Sequence, residues 1–459
     1  MANDPESVSA EEGRYGLVPE NVKKIEEALD ESRLEEIRSL LSSLHVADIA
    51  DLIESLSDDQ RRTLMGAIDH EAIPEVLSYL DETVRESLLD ALEPEQVANV
   101  ITKLDSDDAV DLIENLEPED QREVLDAVPA EERAQLEDAL QYPEDTAGRL
   151  MQREFVTVPV GWTVGNAIDF TRSAVDLPSD FYNIYIVDTD GKPQGTIPLS
   201  RVLRNGRDAP LVNLMDRDLR LVPATMDQEE VAFLFRKYGL IAAPVVDTAG
   251  RLVGVITFDD AVRVIEEEAE DDLLKLGGVS EDDLYSAAVD TTKARMPWLA
   301  VNLGTAFLAS SVIGIFEGAI EKIVALAVLM PIVASMGGNA GTQTLTVAVR
   351  ALATKELSSA NARRVLGKEI LVGFANGLAF ALLTGIVAWI WFQDRGVGIV
   401  LALAMVANLL MAAFMGITIP LLLERLKIDP AVASGVFLTA ITDVVGFGVF
   451  LGLAALFLL

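Results

Sequence analysis

Residues Pro331 to Arg350 read PIVASMGGNAGTQTLTVAVR, and the rest of the chain is best interpreted around this stretch. An apolar run leads into it from Ile323 and continues beyond it to Ala353, which is long enough for a helix that crosses a bilayer. Its centre instead combines glycines with amides and hydroxyls: Gly337, Gly338, Gly341, Asn339, Thr342, Gln343, Thr344 and Thr346. Because hydrocarbon cannot satisfy such groups, they must face other helices or a wet cavity. Neutral oxygens beside glycine-opened backbone suit a hydrated hard cation.

Charge divides the chain into two parts. The 459 residues include 36 basic and 74 acidic ones, but only 11 basic and 8 acidic residues lie from Lys293 onward. The sequence therefore predicts a strongly acidic half joined to a membrane half, within a length that allows two or three domains. Such acidity argues against nucleic acid, whose phosphates it would repel, and favours cations. General solubility, or a halophilic source, explains the acidic excess equally well.

Cysteine and histidine usage excludes several chemistries. The chain has no cysteine, so it has no disulfide, thiolate zinc site or thiol nucleophile. His45 and His70 are the only histidines, which argues against histidine triads, and we expect no enzyme. The first residues, MANDPESVSAEEG, lack the pattern of a signal peptide, and we expect a disordered tail over residues 1–21.

A twelve-residue repeat runs through residues 22–145. Each repeat places an apolar residue before a polar turn, at Leu44, Leu56, Ile68, Leu80, Leu92, Leu104, Leu116, Val128 and Leu140. The turns contain helix-start signals such as SDDQ and EPEQ. Stacked helical hairpins, that is, a small superhelical array, are the expected structure. We expect a docking or regulatory surface rather than a catalytic one.

Two α/β repeats follow in residues 146–258. Strand patterns lie at Phe155–Pro159 and Ile184–Asp188, and the same order recurs at Leu221–Pro223 and Ala243–Asp247. This arrangement resembles a tandem pair of CBS domains. In the second copy GVITFDD, with Thr257 and Asp260, fits the family's nucleotide pattern, which implies ATP as a candidate ligand. The first copy has Pro198 and Arg201 instead, and this departure counts against nucleotide binding.

An acidic helix is expected to connect the two halves, within residues 259–292. Val262, Ile265, Ala269, Leu273 and Leu276 have helical spacing, acids occupy most other positions, and Gly277 ends the pattern. Crowded carboxylates repel one another, and divalent ions relieve that repulsion. A solvated helix face is the alternative. The position just before the membrane half favours a lever or plug.

Five membrane spans are predicted, near residues 297–316, 323–353, 369–392, 397–423 and 430–458. Nine basic residues lie on one side of these spans and only Lys322 and Arg395 on the other. The basic side is normally cytoplasmic, so the acidic half is expected in the cytoplasm and the C-terminus outside.

Asp443 is the ionisable residue that the sequence places deep within a span. An intramembrane carboxylate is expensive and is by default a functional site, although a hydrogen-bonded strut between helices is the alternative. Thr439, Thr442 and Gly446 lie beside it on the same helix. Asn408 in the fourth span is a second candidate, for which an interhelical hydrogen bond is an equal explanation.

The glycine-rich segment, Asp443, the RMPW sequence that begins at Arg295 and the domain order together resemble the MgtE family of magnesium channels, from about residue 22 to the end. The resemblance implies an α-superhelical N domain (22–145), a tandem CBS pair (146–258), a connecting plug helix and linker (259–292) and an all-α pore domain of five spans (293–459). It also implies a homodimer of the cytoplasmic membrane with the pore on the two-fold axis, where Asp443 of each subunit holds hydrated Mg²⁺.

Intracellular Mg²⁺ would close such a pore by bridging the cytosolic domains and the plug helix. The candidate pore positions are Asp443, which the resemblance implies, and Asn339, Gly338, Thr342, Thr346 and Asn408, which the sequence places within the spans. It implies regulatory carboxylates at Asp107, Asp111, Asp227, Glu229, Asp260, Glu268, Asp271, Asp272 and Asp429. Arg263 and Gly239 stand where some members carry acids, which leaves the number of regulatory ions open.

Two other functions remain compatible with the sequence. A secondary transporter could use Asp443 to carry a coupling proton or sodium ion. A sensor could use the membrane half only as an anchor, but an anchor does not need the polar glycine segment.

Overall fold

The computed structural model describes residues 17, 19–31, 33–174, 177–178, 181–279, 288–358 and 360–459. The chain forms two compact units, Met1–Glu266 and Glu267–Leu459, here called the N-terminal and C-terminal units. Most of the expected disordered tail, and part of the expected linker before the first span, lie outside the described residues.

The N-terminal unit begins with an array of short helices. They are α1 (Pro19–Asp30), α2 (Leu34–Leu41), α3 (Val46–Ser55), α4 (Asp58–Met65), α5 (Ile73–Ser78), α6 (Glu82–Leu89), α7 (Pro94–Ile101), α8 (Ser106–Glu114), α9 (Pro118–Ala127) and α10 (Ala130–Ala139). From α3 onward one helix falls in each twelve-residue repeat, which confirms the predicted array. The repeated apolar positions Leu56, Ile68, Leu80 and Val128 are buried.

Polar residues start these helices, as the turn sequences predict. Ser57 and Gln60 form a capping box at α4, and the Asp81 carboxylate accepts hydrogen bonds from the backbone of Thr83 and Val84 at α6. Each cap satisfies backbone N–H groups that have no partner within the first turn. The helices can therefore be short and still begin at fixed positions.

Two α/β repeats complete the N-terminal unit. The first contains α11 (Ala147–Leu150), β1 (Val156–Pro159), α12 (Val164–Ser173), β2 (Asn183–Val187), β3 (Pro193–Pro198), α13 (Leu199–Leu203) and a 3₁₀ turn (Leu211–Asn213). The second contains β4 (Val222–Pro223), α14 (Gln228–Tyr238), β5 (Ala242–Val246) and β6 (Leu252–Thr257). Both sheets have three strands, in the orders β1-β2-β3 and β4-β5-β6, with the first pair parallel and the second antiparallel.

The parallel pairs follow from the sequence, because a strand that returns parallel needs a helical crossover. Helix α12 supplies it in the first repeat and α14 in the second. Val158 and Ile184 are buried in the first core, and Val245 and Phe235 in the second. The tandem α/β prediction is confirmed.

The acidic connector forms α15 (Phe258–Gly277), as predicted. Its end is fixed by Gly278, whose φ of +71° is a left-handed conformation that favours glycine. The indole ring of Trp298 lies against Gly278, in the space that a side chain there would fill. The connector therefore ends in contact with the helix that follows it in the C-terminal unit.

The C-terminal unit is helical. It comprises α16 (Ala288–Ile315), α17 (Glu317–Lys322), α18 (Ala325–Ala353), α19 (Ala362–Phe392), α20 (Arg395–Arg425) and α21 (Pro430–Phe457). All of these except α17 contain a stretch long and apolar enough to cross a membrane, which confirms the five predicted spans among the described residues. Helices α16 and α19 begin nine and seven residues before the predicted spans, because polar turns extend the helices beyond their apolar parts.

Helix α20 occupies the centre of this unit. Leu401, Ala404, Met405 and Leu409 on this helix are almost fully buried. Small residues bring α19 close to it: a Cβ atom on Gly398 would lie 2.6 Å from the carbonyl oxygen of Gly385. Such close backbone approach is the usual way in which membrane helices associate.

Candidate ion pathway and carboxylate clusters

The glycine-rich segment of α18 has two different faces. Gly337 and Gly341 are buried, and their missing side chains make room for Asn408 and Leu438 of the neighbouring helices. The opposite face is open and polar, and its exposed members are Ser335, Asn339, Thr342, Gln343 and Thr346. These residues are called the polar stripe below. Apart from the adjacent pair Thr342 and Gln343, they follow one another at intervals of three to four residues, so they share one side of the helix.

The polar stripe makes its hydrogen bonds within its own helix. Asn339 donates to the carbonyl oxygen of Ser335 at 2.8 Å, and the Thr346 hydroxyl donates to the carbonyl oxygen of Thr342 at 2.9 Å. The Asn339 side chain is exposed on a helix of membrane-spanning length. It would be costly against lipid, so this face requires water or another protein surface.

Asp443 lies in the middle of α21 and is half-buried. It forms no hydrogen bond or ion pair with any residue that the structure describes. Its neighbour Thr442 is fully buried and donates to its own helix, to the carbonyl oxygens of Leu438 and Thr439. The carboxylate is thus available to a ligand, and the structure gives it no strut-like partner within the described part of the chain.

A cavity of about 220 Å³ lies beside these residues, within the C-terminal unit. Its lining includes Thr342 and Thr346 of the polar stripe, Thr439 of α21, Asn302 and Trp298 of α16, and Leu276 of α15. Thr439 precedes Asp443 by one helical turn on the same face. The cavity therefore brings the polar stripe, the helix of Asp443 and the end of the connector to one place.

Asn302 is a cavity residue that sequence reasoning missed. It is half-buried and donates to the carbonyl oxygen of Trp298 at 3.1 Å. Its amide within a predicted span was the available signal. Gly338, Asn339 and Asp443 belong to the same helices but do not line this cavity.

Asn408 lies in the interior of the unit. It is 0% exposed and donates from Nδ2 to the carbonyl oxygen of Val333 at 2.8 Å. Gly337 and Gly446 leave the space that it fills. This geometry favours the interhelical hydrogen bond over the ion-ligand interpretation. Its Oδ1 atom has no partner among the described residues.

Glu369 is a second carboxylate on a membrane-length helix, and it is buried. Its Oε2 atom accepts from the hydroxyl of Thr344 at 3.4 Å, and its Oε1 atom lies 3.5 Å from Nζ of Lys368. The sequence analysis placed it at the edge of the third span, whereas α19 begins seven residues earlier. The membrane-length helices therefore contain a carboxylate besides Asp443. Glu369 has polar contacts, whereas Asp443 has none with the described residues.

The first carboxylate cluster lies within the N-terminal unit and joins α8 to the start of α15. Arg263 donates to Asp108 at 3.1 Å and to Asp260 at 3.4 Å. Asp107 is buried beside them, and its Oδ1 atom has no partner within the described residues. Burial, followed by the charges of Asp260 and Asp108, raises the pKa of Asp107 well above its usual value. Burial also raises the pKa of Asp260.

Other predicted regulatory carboxylates have local partners. Asp111 forms an ion pair with Arg85 at 2.7 Å. Asp227 caps α14 and accepts from the backbone N–H of Glu229 at 3.0 Å. The Thr257 hydroxyl donates to Asp260, so the two residues of the nucleotide pattern contact each other.

The second carboxylate cluster lies within the C-terminal unit, between the end of α15 and the start of α21. Nζ of Lys275 lies 3.0 Å from Oδ2 of Asp429 and also contacts Asp271. Oδ1 of Asp429 accepts from the backbone N–H of Ala431 at 2.8 Å and caps α21. Burial, followed by the charge of Asp429, raises the pKa of Asp272. Glu268 lies half-buried two turns earlier on α15.

Neither cluster has the geometry of a complete metal site. Among the described side chains, no group of three or more acids or histidines is arranged to hold an ion. Arg263 and Lys275 provide the positive charge instead. The orphaned oxygen of Asp107 and the oxygen-only ligand set nevertheless suit Mg²⁺, which binds carboxylates and retains water.

A helical array, a pair of α/β repeats and five membrane-length helices with an open polar stripe define a multi-pass membrane transporter with a large non-membrane portion. Comparison with known families agrees. The profile of the divalent cation transporter family (MgtE) matches residues 330–453, that of the MgtE intracellular N domain matches 44–145, and that of the CBS domain matches 147–208 and 211–267.

The chain belongs to the MgtE family, whose transported ion is Mg²⁺. It is 38% identical to the magnesium transporter MgtE of Thermus thermophilus over 71% of this chain and 73% of that protein. It is 32% identical to the protein of the same name from Enterococcus faecalis, over 72% and 73%. These relatives are named as transporters, a non-enzymatic class.

Solved structures of soluble portions are also similar to this chain. The cytosolic domain of the Mg²⁺ channel MgtE in complex with ATP is 30% identical, covers 53% of this chain and 99% of that chain, and has a TM-score of 0.49. The soluble part of a magnesium transporter is 27% identical over 55% and 98%, with a TM-score of 0.48.

Proposed function

We propose that this protein is a Mg²⁺-selective channel of the cytoplasmic membrane in which Asp443 attracts the hydrated ion. The observation that carries the proposal is the half-buried carboxylate of Asp443, which has no partner among the described residues and lies on the helix that also lines the polar cavity. Mg²⁺ loses water reluctantly. A carboxylate that acts through the hydration shell therefore suits this ion.

The same stripe supports a homodimer. One chain leaves Asn339, Thr342, Gln343 and Thr346 exposed along a membrane-length helix, where lipid cannot satisfy them. A second copy related by a two-fold axis would enclose both stripes and bring two Asp443 side chains toward one path.

The distribution of basic residues supports an orientation with the N-terminal unit in the cytoplasm and the C-terminus outside, by the positive-inside rule.

Gating by intracellular Mg²⁺ follows as part of the proposal. The second cluster links the connector to the start of α21, and Leu276, the next connector residue after Lys275, lines the cavity. An ion that binds the second cluster would therefore act on the helix that carries Asp443. Because Arg263 and Lys275 already offset part of the negative charge, we expect fewer or weaker regulatory ions than the number of carboxylates suggests. Adenine nucleotide binding at Thr257 and Asp260 stays a sequence prediction.

Mg²⁺ flux into liposomes that contain the purified protein tests the role of Asp443 in the pore. The Asp443→Ala variant should lose Mg²⁺ flux while it still assembles as a dimer, because the carboxylate that attracts the ion is gone. The Glu356→Ala variant, which removes an exposed carboxylate in a loop, is the matched control and should conduct normally. Undiminished flux through Asp443→Ala would refute the role of this residue.

A coupled transporter is the second candidate, because an unpartnered carboxylate in a span is also what a proton carrier requires. The two mechanisms differ in energetics. A channel conducts Mg²⁺ down its own gradient after protonophore and sodium ionophore have dissipated the other gradients. Flux that stops under those conditions would favour coupling.

Limited proteolysis tests gating. Millimolar Mg²⁺ should protect the connector α15 from cleavage and should lower the flux, because bound ions relieve carboxylate repulsion in the closed arrangement. Identical cleavage in Mg²⁺ and in chelator would contradict gating while leaving the pore proposal intact.

A further inference from the structure

An apolar groove lies on the outer surface of the C-terminal unit, between the end of α19 and the start of α20. Its volume is about 270 Å³. Small or flat residues form much of its lining, namely Ala381, Gly385 and Trp389 on α19 with Gly398 and Ala402 on α20, and Arg395 also contributes. Large exposed apolar side chains border it: Leu382, Ile386 and Ile399.

The groove exists because the two helices approach closely at glycines. A Cβ atom on Gly385 would lie 3.0 Å from the carbonyl oxygen of Gly398 and 3.1 Å from Cβ of Ala402. No side chain at these positions can fill the surface between the helices. The bulky side chains on both sides therefore form walls, and a narrow apolar groove remains open at the surface of the unit.

Arg395 supplies a cation at the groove. Its guanidinium lies 5.1 Å from the centre of the Trp389 ring, and it forms no hydrogen bond or ion pair with the part of the chain that the structure describes. The neighbouring Asp394 is engaged elsewhere, since its Oδ1 accepts from the backbone N–H groups of Gly396 and Val397. The five donors of the guanidinium are therefore available to an anion outside the protein.

The length of the groove is comparable to the hydrocarbon depth of one leaflet of a bilayer. Its lining on α19 runs from Ala381 to Trp389, a separation of eight residues, which corresponds to roughly 12 Å along a helix. The hydrocarbon core is about 30 Å thick. Trp389 and Trp391 lie near the end of α19, where tryptophans usually mark the boundary between hydrocarbon and head groups.

We infer that this groove binds a membrane phospholipid, with an acyl chain between α19 and α20 and its phosphate diester at Arg395. An apolar slot of leaflet depth with one available guanidinium at the interface is complementary to this class of molecule, which carries one phosphate above a long hydrocarbon chain. Guanidinium pairs with phosphate oxygens through two parallel hydrogen bonds. The site is separate from Asp443 and from both carboxylate clusters.

Native mass spectrometry of the full-length protein in detergent tests this inference. The probe is added phosphatidylglycerol, and diacylglycerol with the same acyl chains is the phosphate-free comparison. The wild type should retain one phosphatidylglycerol per chain and little diacylglycerol. Arg395→Ala should lower the retained phosphatidylglycerol by about fivefold, the effect of one basic residue near a membrane surface, and Arg395→Lys should restore part of it.

Two further variants complete the design. Ala402→Leu fills the groove without a change in charge and should also displace the lipid. Lys322→Ala removes the other basic residue that the sequence assigns to the same membrane side, and it should retain lipid as the wild type does. Equal retention in the wild type, Arg395→Ala and Ala402→Leu would overturn the inference. Equal retention of diacylglycerol, or loss of dimer mass rather than lipid in these variants, would overturn it as well.

Discussion

Replacement of Arg263 by alanine should make the stability of the N-terminal unit depend on Mg²⁺. In the wild type, Arg263 contacts Asp108 at 3.1 Å and Asp260 at 3.4 Å, with Asp107 buried beside them. Removal of one partner from a buried ion pair costs about 3–5 kcal/mol. The Arg263 side chain is 31% exposed, and the carboxylates can bind protons instead, so we expect a loss of about 2–3 kcal/mol in chelator.

Hydrogen exchange in α8 (Ser106–Glu114) is the appropriate assay, because it reports on the helix that carries Asp107 and Asp108. A loss of about 2–3 kcal/mol corresponds to exchange that is roughly 30- to 140-fold faster if this helix opens with the cluster. Mg²⁺ at about 100 times its dissociation constant contributes about 2.7 kcal/mol. It should therefore return the variant nearly to the wild-type rate, while the wild type itself responds less.

The matched control is Arg251→Ala. Arg251 lies in the same N-terminal unit, just before β6, and pairs with Asp247, but its side chain is 62% exposed, so its loss should cost less than about 1 kcal/mol. The exchange rate of Arg263→Lys should lie between those of the wild type and Arg263→Ala, since lysine keeps the positive charge but lacks the planar guanidinium group. Two results would contradict a role of Arg263 in neutralising the carboxylates: exchange in Arg263→Ala at the wild-type rate in chelator, or a response to Mg²⁺ no larger than that of the wild type.

Two more predictions concern buried polar groups. Asn408→Ala should destabilise the C-terminal unit by about 2–3 kcal/mol, because it leaves a cavity and removes a buried hydrogen bond; unchanged thermal stability in detergent would show that the bond to Val333 contributes little. The raised pKa values of Asp107 and Asp260 mean that the folded cluster binds protons more tightly than the unfolded chain. In chelator the N-terminal unit should therefore lose stability as the pH rises from the ordinary carboxyl pKa of 3.8 through the raised pKa values of the cluster. Mg²⁺ should stabilise it more at the higher pH, and Asp107→Asn should weaken this dependence in a thermal scan.

Local and periodic features of the fold could be predicted from the sequence. The twelve-residue repeat predicts one helix per repeat, since each repeat carries its own cap and its own buried position, as at Ser57 and Leu56. The strands around Ile184 and Val245 have flanking turns and a crossover helix at matching spacing. The five spans follow from apolar length alone. Their ends did not, because polar turns such as the one before Glu369 remain helical.

The candidate site could be predicted only in part. The polar stripe and Asp443 stand out because their chemistry is unusual in a span. The burial of Asn408 between Gly337 and Gly446, and the position of Asn302 in the cavity, depend on how separate helices pack. The cations in the two clusters were also beyond sequence reasoning, because the partners Arg263 and Asp108 are 155 residues apart in the chain.

Asp429 divides its two oxygens between two tasks. One holds the first turn of α21 through the N–H of Ala431, and the other accepts the ammonium group of Lys275. The lysine can therefore be exchanged for another cation at the second oxygen without fraying the helix. In the proposed gating, release of Lys275 from Asp429 would therefore leave the start of α21 in place, and α15 would move without any unfolding of α21.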